Sequence, residues 1–343
     1  MSRVVAVLSG GRSSEHAVSV VSGESVASSL DPARYEVTRV HIDPDGRWSV
    51  DGRAVALVPG PDARGALIGD DPADARAVDV VFPVLHGPFG EDGTVQGLCE
   101  MAGTPYVGAG VAASAVAMDK ALCKVVLSDA GIPTAAGTVV SADEWRRAPE
   151  AARERVGDLI GYPAFCKPAR LGSSVGISPV PGPGDLDAAL DLALRHDPKA
   201  LVERAIEGEE VEVGVLGNEE LTVSPVGQIT YDADWYDYET KYEPGRMKLV
   251  VPANISKETA DRVRSLASDA YRAIECAGLA RIDFFATRDG EVLVSEINTL
   301  PGFTPTSVYA SLMAAGGIAY GPLVDRLIDL GVERARAARE YRN

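Results

Sequence analysis

Residues 280–307 read ARIDFFATRDGEVLVSEINTLPGFTPTS, a pattern that predicts an antiparallel hairpin. Two short apolar runs flank Asp289-Gly290, a dipeptide typical of a two-residue type I′ turn because glycine adopts positive φ without steric cost. With these two residues as the loop, side chains that alternate along the strands give one predicted core face. The members of that face are Ile282, Phe284, Leu293 and Ile297.

The other face of the hairpin carries polar residues. Counting back from the loop places Asp283 opposite Glu296 and Arg281 opposite Asn298, all on one side of the sheet. Two carboxylates across a ladder repel by roughly 0.2 to 1 kcal/mol, so the arrangement favours a cation between them. Oxygen donors of this kind suit Mg²⁺, which completes its octahedron with water and substrate phosphates. The alternative is a solvated face with an Arg-Asp pair, and a register slip of one residue would dissolve the cluster.

Composition bounds the class of protein. The 343 residues, 46% hydrophobic and 24% charged, are typical of a globular protein with room for two or three domains. A formal charge of −17 argues against a nucleic-acid partner, although a locally basic pocket could still take a phosphate ligand. No run resembles a signal peptide or a membrane span, so we expect a reduced, cytoplasmic protein. The widely spaced cysteines indicate small buried residues rather than zinc ligands or disulfides; they are Cys99, Cys123, Cys166 and Cys276.

The N-terminal part predicts an open α/β domain with two ligand loops. An apolar run at 3–8 suits a buried parallel strand, and the glycine turn after it leads into a helix whose start carries Glu15. Such a turn leaves backbone N–H groups for a ligand, but GxGxxG is absent, so a dinucleotide site is disfavoured. Glu15 could instead simply complement the helix dipole. The second loop, 86–94, follows a strand near 78–85; ordinary turn chemistry is the alternative there.

The middle of the chain predicts a phosphate flap. A strand near 163–167 runs into the Gly/Ser-rich loop 168–176, where Lys167 would act as a point charge and backbone N–H groups as donors. The order of a Walker loop is absent. A strand near 200–204 and the acidic link after it could offer backbone groups to an adenine and a carboxylate to a ribose. Further on, the aromatic and charged loop 231–250 is typical of a lid.

Six segments in order resemble the D-alanine–D-alanine ligases of the ATP-grasp superfamily, nearly end to end. They are GGRSSEHAVSVVSG (10–23), HGPFGEDGTVQG (86–97), MDK (118–120), KPARLGSSVGI (167–177), YDYETKY (236–242), and RIDFF (281–285) with EINTLPGFTPTS (296–307). The resemblance implies a Rossmann-like, open parallel-sheet substrate domain at 1–117. It further implies a two-subdomain, α+β ATP-grasp part, with a central subdomain and phosphate flap at 118–208 and a C-terminal subdomain with metal site and lid at 209–343.

The implied reaction joins two D-alanines for peptidoglycan precursors. ATP would phosphorylate the first carboxylate, and the second amine would attack the acyl phosphate. The resemblance also implies two Mg²⁺ ions, with Mn²⁺ possible, and a cytoplasmic homodimer. Its metal ligands would be Asp283, Glu296 and Asn298.

The remaining site residues are likewise implied by the resemblance. The ATP-binding set would be Lys120, Lys167, Ser173, Ser174, Glu203, Ala205, Ile206, Glu210 and Lys241. Glu15 would receive the first ammonium group, Ser173 and Tyr242 would hydrogen-bond to it, and Arg281 would stabilise the developing charge. Ser307, beside Gly302, would bind the second carboxylate, and His86 would lie near the substrates without an assigned step.

Tyr242 bears on the choice of substrate. Relatives that make a D-alanine–D-lactate ester carry a different lid, typically with His or Phe at this place, so Tyr242 favours the dipeptide. The competing hypotheses are another ATP-grasp ligase and a nucleotide-binding regulatory protein that has lost catalysis. The latter would be expected to lack one of the polar hairpin residues, all of which are present. A Rossmann oxidoreductase is disfavoured by the missing GxGxxG.

Overall fold

The structure, a computed structural model, describes residues 2–60, 64–71, 75–172, 175–231 and 247–341 as a mixed α/β protein. The elements of the first part are β1 (Arg3–Gly10), α1 (His16–Ser29), β2 (Tyr35–Ile42), β3 (Trp48–Val50), β4 (Arg53–Ala54), β5 (Ala56–Pro59), β6 (Gly65–Ile68), β7 (Arg76–Val78), β8 (Val80–Pro83), α2 (Thr94–Met101) and α3 (Val111–Met118). Those of the middle are α4 (Lys120–Asp129), β9 (Gly137–Ser141), α5 (Ala142–Arg147), α6 (Pro149–Leu159), β10 (Ala164–Pro168), β11 (Ser178–Val180), α7 (Leu186–Ala193) and β12 (Lys199–Arg204).

The last part of the chain is richer in antiparallel strands. Its elements are β13 (Gly208–Gly217), β14 (Leu221–Val223), β15 (Gly227–Tyr231), β16 (Met247–Val250), α8 (Lys257–Ala273), β17 (Gly278–Thr287), β18 (Val292–Asn298), α9 (Val308–Ala315) and α10 (Tyr320–Glu340). Within the described ranges, no helix combines the length and the apolar character that crossing a membrane requires.

The first sheet brings two loops to one edge. Its strand order is β4-β3-β2-β1-β8, and β1 pairs in parallel with both β2 and β8. Val5 lies in one hydrophobic core and Ala6 in another, as expected for a strand that is buried on both faces. Because β1 and β8 run in the same direction, the loops that follow them, 11–15 and 84–93, leave the same edge of the sheet. A smaller antiparallel sheet, β5-β6-β7, flanks this part.

The central sheet is antiparallel, in the order β11-β10-β12-β9. Its core contains residues of α6 and α7 packed on one face. Phe165 pairs with Glu203, so Lys167, two residues further along β10, shares a face with Glu203. The sheet thus presents a lysine and a glutamate side by side.

The third sheet has one apolar and one polar face. Its order is β16-β15-β13-β17-β18, with β14 paired to β13. Val213 pairs with Ile282, and both lie in a core that includes residues of α8. Glu212 pairs with Asp283 one position along, so both carboxylates project from the opposite face.

The register of β17 against β18 confirms one sequence prediction and corrects another. Asp283 does pair with Glu296 and Arg281 with Asn298, but the predicted two-residue type I′ turn is wrong. The loop has three residues, 288–290, and only its last residue, Gly290, has positive φ, at 88°. The Thr287 hydroxyl accepts from the Glu291 N–H at 3.0 Å and so stabilises the longer loop.

A β-bulge at Ser295 restores the predicted pairing. The register shifts between Asp283 and Phe284, which leaves Ser295 without a partner on β17. Between the three-residue loop and the bulge, the register differs by one residue from the predicted one. Leu293 therefore pairs with Phe285 and leaves the predicted core face. Val292 and Val294 take its place in the core. The extra residue in the loop and the extra residue in the bulge each shift the pairing by one position, so their effects cancel at the polar cluster.

The cysteines behave as the sequence predicts. All four are buried free thiols, and burial raises the pKa of each to about 12; they are Cys99, Cys123, Cys166 and Cys276. Thiols in this condition are poor nucleophiles and poor metal ligands.

Candidate active site

Arg281 is the centre of the polar hairpin face. Its Nε and one terminal nitrogen each donate to an Asp283 carboxylate oxygen at 2.7 Å, in a two-pronged pair. Glu212 lies 2.9 Å from the same Nε, and the Asn298 amide nitrogen donates to Asp283 at 3.0 Å. Burial works against the charge on the guanidinium, but Asp283 and Glu212 outweigh it and raise the Arg281 pKa well above its ordinary value. The face therefore holds a permanent cation in a fixed orientation.

Glu212 is a site residue that the sequence interpretation missed. It is buried on β13 and belongs to the run GEEVEVGVLG at 208–217, where glutamate and valine alternate. That alternation predicts a polar face, and it could have identified Glu212 together with Glu210. Glu210 shares this face, because it lies two positions before Glu212 on the same strand and pairs with Phe285.

Lys120 ties the base of the flap to the hairpin. Its ammonium group lies 2.8 Å from a Glu296 carboxylate oxygen and donates to the Leu171 carbonyl at 2.9 Å. Burial disfavours its charge, but the carboxylates of Glu296, Glu203 and Glu91 outweigh burial and raise the Lys120 pKa. Lys120 is the first residue of α4, and this position aims it at the polar face.

A second charged cluster surrounds Glu203 on β12. Lys167 pairs with one carboxylate oxygen, and Lys124, which the sequence interpretation did not assign, lies 2.5 Å from the other. Burial opposes the charge on Glu203, but the two lysines outweigh it and lower its pKa. The link after β12 contains the predicted Ala205 and Ile206, and the Ala205 N–H donates to the Pro163 carbonyl at 3.1 Å.

The two N-terminal loops bring Glu15 and His86 together. A Cβ placed on Gly87 would lie 3.1 Å from a Glu15 carboxylate oxygen, and one placed on Gly172 would lie 3.8 Å from the same atom. The Glu15 carboxylate thus lies between the 84–93 loop and the start of the flap. Burial lowers the His86 pKa, although Glu15 opposes this, and the neutral ring approaches the Leu300 carbonyl through Nδ1 at 2.9 Å.

Glu91, in the same loop, was also missed. Its two carboxylate oxygens accept from the Gly87 N–H at 2.7 Å and from the Leu300 N–H at 3.2 Å. Burial and the nearby charge of Glu15 raise the Glu91 pKa to about 8, while the two backbone donors act in the opposite direction. Its partners lie 4 and 209 residues away, so the longer contact could not be read from a local pattern.

The raised pKa of Glu91 gives a test in the ligand-free protein. Because an unfolded glutamate titrates near about 4.3, the folded protein holds an extra proton up to about pH 8 and loses stability as the pH rises through this window. Glu91→Gln cannot ionise. In a series of thermal melts, we expect the melting temperature of Glu91→Gln minus that of the wild type to rise by at least about 2 °C between pH 5 and pH 9. A difference that stays constant with pH would contradict this result.

Gly302 and Ser307 lie together after β18. A Cβ on Gly302 would be 3.5 Å from the Ser307 hydroxyl oxygen, which accepts from the Thr304 N–H at 2.9 Å. Ser307 immediately precedes α9 and makes no capping bond to that helix, so its hydroxyl stays with the loop. Four predicted residues, Ser173, Ser174, Lys241 and Tyr242, lie outside the described residues, as does most of the predicted lid.

The donor set of the hairpin fits Mg²⁺ in its chemistry. Asp283, Glu296 and Asn298 supply only oxygen ligands, and the first two face each other across the ladder. In the part of the chain that the structure describes, no three His, Cys, Asp or Glu side chains form a metal cluster. A cation here would thus use two carboxylates and one amide from the protein, with water and phosphate oxygens as further ligands.

Comparisons with known proteins place the chain in a family. Family models described as the D-ala D-ala ligase N-terminus and C-terminus match residues 4–109 and 126–329. The D-alanine–D-alanine ligase of Deinococcus radiodurans is 48% identical over 97% of this chain and 99% of its own length. One from Mycobacterium sp. (strain JLS) is 46% identical over 98% of each chain.

Solved structures agree with the sequence matches. The D-alanine-D-alanine ligase from Coxiella burnetii superposes with a TM-score of 0.87 at 33% identity, covering 99% of this chain and 96% of its own. The VanG D-Ala:D-Ser ligase from Enterococcus faecalis has a TM-score of 0.86 at 34% identity, covering 96% of this chain and 100% of its own. The two family models together span most of the residues that build the site. This chain belongs to the D-alanine–D-alanine ligase family.

Proposed function

We propose that this protein uses ATP to join two D-alanines into D-alanyl-D-alanine. Family membership supports the reaction class. The observation that carries the proposal is the convergence of Arg281, Asp283, Glu296 and Asn298 on one sheet face, with Lys120 bonded to Glu296. This face offers cations for phosphate and oxygen ligands for a metal ion. Glu15, across the loops, offers an anion for an amino group.

The chemistry requires activation of a carboxylate. Oxide is a prohibitive leaving group, so the first D-alanine would be phosphorylated by ATP and the acyl phosphate would then be attacked by the second amine. Arg281, held by Asp283 and Glu212, would stabilise charge on the transferring phosphoryl group and on the tetrahedral intermediate without reorienting. Mg²⁺ held by Asp283, Glu296 and Asn298 would supply neutralisation of the phosphate charge.

The ATP contacts would come from three places. Lys120, Lys167 and Lys241 would bind phosphates, with the flap residues Ser173 and Ser174 covering them. Glu203 and Glu210 would hold the adenine and ribose. Ile206 and the Ala205 carbonyl would border the adenine, since the Ala205 N–H is engaged by Pro163.

The two amino acids would lie on opposite sides of the reacting carbonyl. Glu15 would bind the first ammonium group, with Ser173 and Tyr242 hydrogen-bonded to it. The Ser307 hydroxyl, beside Gly302, would donate to the second carboxylate.

The chain would divide into a Rossmann-like domain at 1–117 and two ATP-grasp subdomains at 118–208 and 209–343. We also propose a cytoplasmic homodimer that serves peptidoglycan precursor synthesis.

The identity of the second substrate needs its own experiment, because a D-Ala:D-Ser ligase matches the fold about as well as a D-alanine–D-alanine ligase does. ADP release should be measured with ATP and Mg²⁺ in the presence of D-alanine, L-alanine, D-alanine plus D-serine, and D-alanine plus D-lactate, with products weighed by mass spectrometry. D-alanine alone should yield the dipeptide, and L-alanine should be inert. D-alanine-independent ADP release, or a mixed product that dominates the dipeptide, would overturn the assignment.

Tyr242→Phe should relax the choice of the second substrate. The variant removes a hydroxyl that would belong to the hydrogen-bonded set around Glu15, and related ligases with a different lid residue accept D-lactate. Competition between D-alanine and D-lactate, followed by product mass, should show a higher ester fraction than the wild type. An unchanged fraction would show that the Tyr242 hydroxyl does not decide the choice of the second substrate.

A further inference from the structure

Both main-chain polar groups of Leu300 are held by side chains of the distant 84–93 loop. The Leu300 N–H donates to Glu91 at 3.2 Å, and the Leu300 carbonyl lies 2.9 Å from His86 Nδ1. A carbonyl can only accept, so Nδ1 carries the proton and the neutral ring presents Nε2 to the Ser22 hydroxyl at 3.4 Å. Leu300 itself is buried. Its backbone is thus fixed from two sides.

Leu300 occupies a special place along the chain. It lies two residues after Asn298, on the polar face, and two residues before Gly302, which borders Ser307. Phe303, one residue further, donates its N–H to the Ser22 hydroxyl at 3.4 Å, a long bond that is weaker than those to Leu300. In the segment between the metal face and the second amino-acid site, Leu300 is thus bonded to the 84–93 loop, while the Phe303 carbonyl accepts from the Tyr320 hydroxyl at 2.9 Å.

The other end of this connection lies beside Glu15. The second carboxylate oxygen of Glu91 accepts from the Gly87 N–H at 2.7 Å, and Gly87 is the residue that lies against the Glu15 carboxylate. One glutamate side chain thus joins the backbone next to the first amino-acid site to the backbone next to the second. His86, adjacent to Gly87, makes the parallel connection.

We propose that Glu91 and His86 are positioning residues that set the distance between the two amino-acid sites and so decide whether the acyl phosphate meets the amine or water. This inference rests on the proposed function. In ligation the amine nitrogen forms a bond to the acyl carbon, loses a proton, and phosphate leaves with the C–O electron pair. In hydrolysis a water oxygen forms that bond, and the products are D-alanine and phosphate. ATP is converted to ADP in both cases.

Positioning errors affect these two outcomes unequally. A displacement of about 1 Å can cost an oriented reaction on the order of a hundredfold, whereas water needs no held orientation. A less firmly held Leu300 should thus slow the attack of the amine on the acyl phosphate more than it slows formation of the acyl phosphate. The measurable consequence is the number of ADP molecules released for each dipeptide formed.

The test compares Glu91→Ala with the wild type and with Asp92→Ala at saturating ATP, Mg²⁺ and D-alanine. Asp92 is the matched control, because its carboxylate accepts from the Phe89 N–H in the same loop and from the Thr94 N–H at the start of α2, and these are local partners rather than Leu300. We expect the wild type and Asp92→Ala to release one ADP per dipeptide, and Glu91→Ala to release at least about two, with a raised KM for the second D-alanine and an ATP KM within about twofold of the wild type.

A ratio that stays at one in folded Glu91→Ala, whatever its turnover, would overturn the proposal, because a purely structural role lowers both outcomes together. If Glu91→Ala does not fold, His86→Leu decides, since it removes the bond to the Leu300 carbonyl: a raised ratio supports the proposal and a ratio of one overturns it. Failure of the proposed function is distinguishable, because then the wild type itself would form no dipeptide.

Discussion

Glu296→Gln is expected to lower D-alanine-dependent ADP release by about a thousandfold while the fold is retained. The change removes a negative charge from the oxygen set of Asp283, Glu296 and Asn298, and it replaces the charged partner of Lys120 with a neutral amide of the same shape. Lys120 keeps its bond to the Leu171 carbonyl, so the surrounding structure retains an anchor. Turnover should be measured by a coupled ADP assay across a Mg²⁺ titration, with thermal melts in parallel.

The matched control is Glu291→Gln. Glu291 lies on the same hairpin but is exposed near the turn, so the same chemical change there should leave turnover within about twofold of the wild type. Near-normal turnover in Glu296→Gln at any Mg²⁺ concentration would remove Glu296 from the metal assignment. A melting temperature many degrees below the wild type would instead point to a structural role for its bond with Lys120.

Arg281→Met is expected to lose both activity and stability. Without the guanidinium, the buried carboxylate of Glu212 and the partly buried carboxylate of Asp283 face each other across β13 and β17 with no cation between them. Removing one partner of a buried ion pair costs about 3–5 kcal/mol. ADP release should fall on the order of a hundredfold to a thousandfold, because a preorganised cation at the developing charge is gone. Denaturant unfolding should be followed with and without millimolar Mg²⁺.

Mg²⁺ should recover part of the stability lost in Arg281→Met, because a bound cation would again offset the facing carboxylates. Arg281→Lys is the companion variant. It restores a charge but not the two-pronged geometry toward Asp283, so we expect it to recover stability more than turnover. An Arg281→Met protein as stable as the wild type would show that the carboxylates do not depend on the guanidinium.

The hairpin shows how a sequence prediction can be right at a site and wrong on the way to it. Asp51-Gly52 does form a tight connection between β3 and β4 with both residues at positive φ. Asp289-Gly290 has the same letters, yet the Thr287 hydroxyl stabilises a three-residue loop in its place. The bulge at Ser295 then restores the pairing of Asp283 with Glu296, and no local sequence pattern predicts this bulge.

Residues that the sequence interpretation missed have one thing in common. Glu91, Lys124 and Glu212 act through partners far along the chain, at Leu300, Glu203 and Arg281. Local periodicity places a side chain on a face of its own element, but it does not say which other element meets that face. Only Glu212 had a usable local signal, the alternation in β13. The placement of Glu15 and His86 near one cleft came from the resemblance to a family and not from spacing.

Helix α10 connects the N-terminal sheet to the hairpin. One hydrophobic core joins its Leu323 and Leu327 to Val5 and Val80 of the first sheet and to Leu279 of β17, whereas the core of the central sheet draws on that sheet and its own helices. The N-terminal sheet and the hairpin thus share one hydrophobic core, and the central sheet has a separate one. The core of the third sheet takes in Cys123 and Leu127 of α4, so Lys120, the first residue of that helix, belongs with the hairpin. Its backbone N–H and its ammonium group donate to the Ala169 and Leu171 carbonyls, so its contact with the base of the flap is polar rather than apolar.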